Sequence, residues 1–414
     1  MVWGIGDQAV SSATNFAISF VAARNLSVID FGGFSVVFVT YTVALGLYRA
    51  VAGDPLLVRY SDASSSEQRE GVGAASGVAL LVGLLAGGAC LLSSFAFDEV
   101  LAGPLRALAV TLPGLLLQDL WRFAFFAQRR GQLAFFNDVI WAIALVVGLI
   151  LVALDKVTSS SLIVVWGGAG TLAAVAGAIQ VGSRPRPERV LMWWSQQRDL
   201  VPRFLAEFLA IFGAAQLTIF GIGAVIGLSA VGALRGAWIL LGPLNVPLMA
   251  SGLVAIPQGV RLLRSGPGPL RRLSIKLSIV LLASILSWGT VLLLVPDAGG
   301  LALLHENWSA ARSVLLPLVL AMAGTGLSLG AIVGLRALAA ARRSLTASTV
   351  TSILTFTGAV GAALVGGLEM AAWTLAAVSW FGVAVWWRQY VEAIADHVRK
   401  ERALDPMRSA ASPK

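Results

Sequence analysis

The sequence predicts an all-α polytopic membrane protein of about 12 transmembrane helices in two six-helix lobes. Of 414 residues, 57% are hydrophobic and only 12% charged, against roughly 25% charged in a soluble domain. Apolar runs of about 20 residues recur along the chain, each long enough to cross a hydrocarbon core as a helix. The ten-residue alternation of a membrane β-barrel is absent. Lys and Arg gather in alternate loops, as a multi-span chain with fixed orientation requires.

Spans are predicted at 2–23, 31–57, 71–97, 104–127, 134–154, 160–182, 204–228, 231–257, 275–296, 312–335, 346–367 and 370–387. Turn residues mark the gaps, among them Asp30, Gly103-Pro104, Asp155-Lys156, Pro185, Pro187, the run Gly266-Pro267-Gly268-Pro269, and Gly299-Gly300. With these spans, 23 Lys and Arg residues fall on one side and five on the other, Arg24, Arg106, Lys156, Arg235 and Arg312. Arg49 and Arg122 lie inside spans, which accounts for all 30. The asymmetry places both termini in the cytoplasm of a multi-pass protein. Arg outnumbers Lys in a Gly- and Ala-rich background, which suggests a bacterial source and hence the inner membrane.

The connection Ser183 to Arg203 divides the chain near its midpoint. It suggests an N-terminal lobe over 1–190, a C-terminal lobe over 191–388 and a tail over 389–414. Leu26, Ser27, Pro55, Val58 and Arg59 recur 202 residues later as Leu228, Ser229, Pro257, Val260 and Arg261, a faint echo of the internal repeats common in transporters. In the tail, Trp387, Tyr390, Val391, Ile394 and Val398 share one helical face. That pattern predicts an amphipathic helix against the membrane surface, ending at Asp405-Pro406.

Several function classes are excluded. The net charge of +9 lies in loops and reads as membrane orientation, so no nucleic-acid partner is expected. One cysteine, Cys90, and two histidines, His305 and His397, provide neither a disulfide framework nor a metal site. No Walker sequence or nucleophile-base pair appears, and no exterior loop is long enough for a catalytic domain. The expectation is a non-enzyme without cofactor or metal, and no cleavable signal precedes the first span.

Seven ionisable residues inside spans are taken as candidates: Asp7, Arg49, Asp54, Asp119, Arg122, Asp138 and Glu207. Such groups ordinarily face a cavity or each other. One reading makes Arg49 and Arg122 receivers of an anionic substrate group, and Asp7, Asp54, Asp119, Asp138 and Glu207 cation-coupling or gating groups. The other lets Asp7, Asp138 and Glu207 snorkel to the interface and Asp119 neutralise Arg122 three residues on. The first span carries a polar stripe, Asp7, Ser11, Asn15 and Ser19, that must face a cavity or another helix. The aromatic run Trp121, Phe123, Phe125, Phe126, Phe135 and Phe136 reads as an interfacial belt, with a sugar-stacking surface as the alternative.

The pattern Ala23-Arg24-Asn25-Leu26 with Phe31-Gly32-Gly33-Phe34 resembles the signature between the first two helices of Wzx-type oligosaccharide flippases. These belong to the multidrug/oligosaccharidyl-lipid/polysaccharide exporter superfamily. Ser27 stands where that signature has glycine, and the second half carries a degenerate copy, Leu228-Ser229-Ala230-Val231-Gly232-Ala233. The resemblance implies two lobes forming a V and alternating access that carries a polyprenyl-pyrophosphate-linked oligosaccharide, a polysaccharide precursor, across the membrane. Arg49 would meet the pyrophosphate, and Arg24 would either receive it at the outer face or be a plain interfacial anchor; Asn15 and Arg122 are the other substrate-binding candidates. Membrane lipids and other polysaccharide-assembly membrane proteins would be the partners. A drug-cation antiporter of the same superfamily is the alternative. The scarcity of ionisable residues in the second half departs from cavities charged on both sides and weighs against cation coupling.

Overall fold

A computed structural model describes residues 2–209 and 213–410. The described residues are helices and connections, without strands. The elements are α1 (Val2–Asn25), α2 (Val28–Tyr48), a π-helical turn (Arg49–Gly53), α3 (Asp54–Tyr60), α4 (Ser65–Ser94), α5 (Glu99–Ala127), α6 (Gly131–Ala153) and α7 (Ser159–Val181). There follow α8 (Val190–Gln197), α9 (Val201–Phe208), α10 (Ala214–Ile226), α11 (Leu228–Leu241), α12 (Asn245–Leu263), α13 (Pro267–Leu293), α14 (Asp297–Leu304), α15 (Asn307–Ala337) and α16 (Ala341–Ala410). The predicted spans lie on helix apart from overruns of one to three residues at helix ends and the break at Gly227 inside the seventh, of which 210–212 lie outside the described residues. Eight helices among the described residues are long and apolar enough to cross a membrane. The chain is an all-α, multi-pass membrane protein.

The chain forms two compact units. The first runs up to Gly223 and includes Gly227–Arg235 and Leu301–Ala310; the second comprises Ala224–Ile226, Gly236–Gly300 and the chain from Ala311 onward. In the first unit, α5 packs most extensively on α4 and α7, and α6 covers α1 and α7. The connection after α7 lies in this unit, with a peptide hydrogen bond from Arg186 to Gly73 O (2.9 Å) tying it to α4.

The second predicted span departs from a uniform helix at Arg49–Gly53. Pro55 has no N–H to offer the carbonyl four residues earlier, that of Val51, and the helix widens into one π-turn closed by the Asp54 N–H bonding Arg49 O. The indole Nε1 of Trp193 donates to Val51 O at 2.9 Å, so α8 satisfies the acceptor that proline orphans. Trp193 is buried and stacks on Tyr60 at 5.8 Å. Single π-turns inside α-helices are frequent at functional sites.

In the second unit the eleventh and twelfth predicted spans are one helical element broken at Gly366-Gly367, where Gly367 has φ +68°, a backbone state that favours glycine. The tail continues this element to Ala410, past the predicted end at Asp405-Pro406; residues 411–414 lie outside the described residues. Its apolar face is not free for lipid along its first turns. Tyr390 is fully buried in a cluster with Leu270, Ala331 and Leu335, and Trp387 and Ile394 pack on the same cluster. Val391, predicted on that face, is exposed. The burial of Tyr390 comes from α13 and α15 closing over it, which helical periodicity does not reveal.

Candidate functional site

The first unit holds a chain of buried ionisable groups drawn from four elements. Asp119 on α5 is its hub. Arg49, first residue of the π-turn, meets Asp119 with Nε–Oδ2 and Nη2–Oδ1 both at 2.7 Å, the bidentate fork that makes arginine-carboxylate pairs strong. The Tyr48 hydroxyl donates to Asp119 Oδ2 at 2.7 Å. Arg122, one turn after Asp119, donates from Nη1 to Asp119 Oδ1 at 3.2 Å and from Nη2 to Asp7 Oδ2 of α1 at 2.7 Å. Its Nε lies 3.4 Å from Asp138 Oδ2 of α6.

The network continues through neutral groups. Gln118 Nε2 donates to Asp138 Oδ1 at 2.6 Å. Asn137 donates to Ala173 O at 2.9 Å and to Gln180 Oε1 at 3.1 Å on α7. Asp7, Asp119, Asp138, Asn137 and Gln118 are buried. Arg49 is the open end, with 37% of its side chain accessible against 4% for Asp119, and its guanidinium lies 5.6 Å from the Phe123 ring.

Three carboxylates here face two guanidiniums, so the cluster carries an excess acid. Two of its buried oxygens, Asp7 Oδ1 and Asp138 Oδ2, make no hydrogen bond. A carboxylate buried at membrane depth is costly unless paired or protonated. The cluster thus has one more carboxylate than guanidinium, and its least-bonded oxygens are on Asp7 and Asp138.

The sequence-derived candidates separate into groups. Asp7, Arg49, Asp119, Arg122 and Asp138 converge, which removes the snorkelling alternative for Asp7 and Asp138. Asp54 is partly buried and Glu207 exposed, and neither joins the cluster. Asn15 accepts from Trp166 Nε1 at 3.2 Å and donates to Ser11 O at 3.0 Å, so the polar stripe of α1 is turned to other helices. Arg24 is exposed and makes no side-chain bond among the described residues.

The aromatic run is not an interfacial belt at its centre. Trp121 and Phe125 are buried, and Trp121 Nε1 donates to Ala174 O of α7 at 2.9 Å. Helix packing, rather than depth in the bilayer, positions them.

A further group escaped the sequence reading. Arg235 of α11, counted there with the outer loops, donates to Ser19 Oγ of α1 at 3.2 Å and lies over the Phe38 ring at 4.4 Å. Its Nε is buried and unbonded, and no acid partners it among the described residues. The signal was present: an arginine four residues into an apolar run, Val231 to Leu234, is costly there and rarely accidental.

The signature stretch owes its residue types to close packing. Gly32 and Gly232 face each other's segments, for a Cβ on Gly32 would lie 1.9 Å from Leu228 O and one on Gly232 2.8 Å from Val28 O. Ser27, standing where glycine is usual, caps α2 by accepting from Asp30 N. Asn307 donates to both Ala23 O and Leu26 O at 2.9 Å, closing the end of α1.

No family model matches the chain, and no curated protein matches it. Solved structures do. A lipid II flippase, MurJ, in an inward closed conformation aligns at 11% identity with a TM-score of 0.68, covering 100% of this chain and 93% of that one. An inward-facing multidrug resistance transporter of the MATE family aligns at 14% identity and 0.62, over 94% and 95% of the two chains. A MOP superfamily transporter from Pyrococcus furiosus aligns at 12% and 0.54, over 95% and 94%. This chain therefore shares, along its whole length, the fold of a lipid II flippase and of MATE transporters, and these neighbours are transporters rather than enzymes.

Proposed function

We propose that the protein is a cation-coupled flippase of the bacterial inner membrane, with both termini cytoplasmic. It moves a polyprenyl-pyrophosphate-linked oligosaccharide, a polysaccharide precursor, across the bilayer by alternating access. The observation that carries the substrate class is Arg235, a partly buried arginine whose Nε is enclosed and unbonded and which has no carboxylate partner among the described residues. A cation at membrane depth is best compensated by an anion that arrives with the substrate, and pyrophosphate offers arginine several charge-assisted bonds. Arg24, exposed and unpaired, is the second anion-receiving group. Arg49 and Arg122, expected in that role from sequence, are already neutralised by acids; their place is in the coupling cluster. Uptake of a proton or cation at Asp7 and Asp138 supplies the drive. The likeness to a lipid II flippase over the full chain supports the same reading.

One observation favours a drug-cation antiporter instead: the excess acid of the cluster would equally suit exchange of a cationic drug for a proton. Proteoliposomes distinguish the two. The expected outcome is translocation of a pyrophosphate-linked saccharide, lost in Arg235→Gln and retained in Glu207→Gln. Failure to move that lipid, together with export of a cationic dye against a proton gradient, would establish the antiporter.

A further inference from the structure

A separate cavity of about 450 Å3 lies at the first turn of α4, lined by Ser65, Ser66, Arg69, Glu70, Arg186 and Arg189. Its two walls come from distant parts of the sequence and are fixed together. Gly73 and Gly77 of α4 let the connection after α7 lie directly on the helix, since a Cβ on Gly77 would come within 2.4 Å of Arg186 O. Arg59 continues the fastening beyond the cavity, with Nη2 at 2.9 and 2.8 Å from the two carboxylate oxygens of Asp199. The arginines are thus held on ordered backbone, which lowers the entropy lost when they grip a ligand.

The charge in this cavity is unbalanced. Arg189 pairs with Glu70, but Arg69 and Arg186 have no acid among the described residues. Three guanidiniums face one carboxylate around a space large enough for a phosphate and the atoms attached to it. The cavity lies just before α4 enters its apolar run at Gly71, and a helix that crosses a bilayer meets headgroup phosphates at such a boundary. Neither Arg69 nor Arg186 belongs to the cluster around Asp119, and no step of the proposed transport uses them.

We propose that this cavity is a binding site for a phosphate group, gripped by Arg69 and Arg186, with Arg189 held in reserve by Glu70. Two sources carry that chemistry, the headgroup of an acidic phospholipid and a soluble phosphate compound. The full chain is placed in nanodiscs of phosphatidylcholine alone or mixed with phosphatidylglycerol, and retained lipid is counted by native mass spectrometry. In the phosphatidylcholine discs, inorganic phosphate is titrated and the unfolding temperature followed.

A lipid source is shown by selective retention of phosphatidylglycerol that falls about tenfold or more in Arg69→Gln/Arg186→Gln, because two charge-assisted contacts are lost. A soluble source is shown by stabilisation with inorganic phosphate that the same variant abolishes. Glu70→Gln releases Arg189 and is expected to strengthen whichever response is seen, a gain that a purely structural role for these residues does not produce. Equal phosphatidylglycerol retention by wild type and the double variant, with no response to phosphate, would overturn the proposal. So would weakened binding in Glu70→Gln at unchanged unfolding temperature in phosphatidylcholine.

Discussion

The two units solve the same problem, helix association in lipid, by different means. The first holds five ionisable side chains in one connected cluster around Asp119. The second unit's buried polar side chains, among the described residues, are Ser274, Ser278 and Ser328. Its ionic link, Arg343 with Glu392 and Asp396, is only partly buried, and its helices are joined mainly by neutral donors: Ser278 to Leu327 O at 2.7 Å, Ser379 to Ala321 O at 2.6 Å, Trp387 to Leu327 O at 3.0 Å and Trp288 to Leu240 O at 2.9 Å. Such bonds average only about 0.6 kcal/mol in a membrane protein. The contrast separates packing from chemistry. Helices hold together without buried charge, so the charge in the first unit calls for a further role.

Removing the hub should have the largest effect. Asp119→Ala strands Arg49, while Arg122 keeps Asp7 and Asp138, and should cost about 3 kcal/mol, the low end of the penalty for breaking a buried ion pair because Arg49 is partly exposed. Thermal unfolding in detergent, compared with Asp119→Asn, measures it. If Asp119→Ala unfolds like wild type, the cluster is wet and the contrast between units collapses.

Backbone packing comes next. Gly32→Val drives a side chain into the Leu228 carbonyl and should destabilise by about 2–3 kcal/mol. Gly88→Val, in open space on α4, should be nearly neutral in the same assay. Trp193→Phe leaves the Val51 carbonyl unpaired beside Pro55 and should cost about 1–3 kcal/mol, read in the same unfolding experiment.

Asp138→Asn sharpens the comparison in another way, because it removes the excess acid while preserving shape. Stability should change by about 1 kcal/mol or less, while the dependence of transport on the proton or cation gradient disappears. Retention of that dependence would relocate the coupling site. Ser278→Ala, in the second unit, should show the smallest effect, about 0.6 kcal/mol, with transport unaltered.

The fold class was legible because its determinants are one-dimensional. Apolar run length decides whether a helix is long enough to span, with no knowledge of neighbours required. Gly366-Gly367 likewise separates the last two predicted spans through local backbone preference alone.

The candidate site was legible only as a set of residue types. Asp7, Arg49, Asp119, Arg122 and Asp138 were marked because ionisable groups do not belong in apolar runs. Their roles were not, since a side chain's role depends on what faces it. One reading had Asp119 neutralise Arg122 alone, yet the π-turn brings Arg49 onto it as well. Arg235 passed as a loop residue because distance along a helix says nothing about which neighbours cover its end.

Sequence alone thus determined that this chain is helical, crosses a membrane many times and buries several charges, for these follow from transfer free energies summed residue by residue. Only the tertiary structure decided that Arg49 and Arg122 are neutralised, that Asp7 and Asp138 keep unbonded oxygens, and that Arg235 has its Nε enclosed with no acid beside it among the described residues. Charge pairing is a property of contacts between helices, and distance in sequence does not encode it.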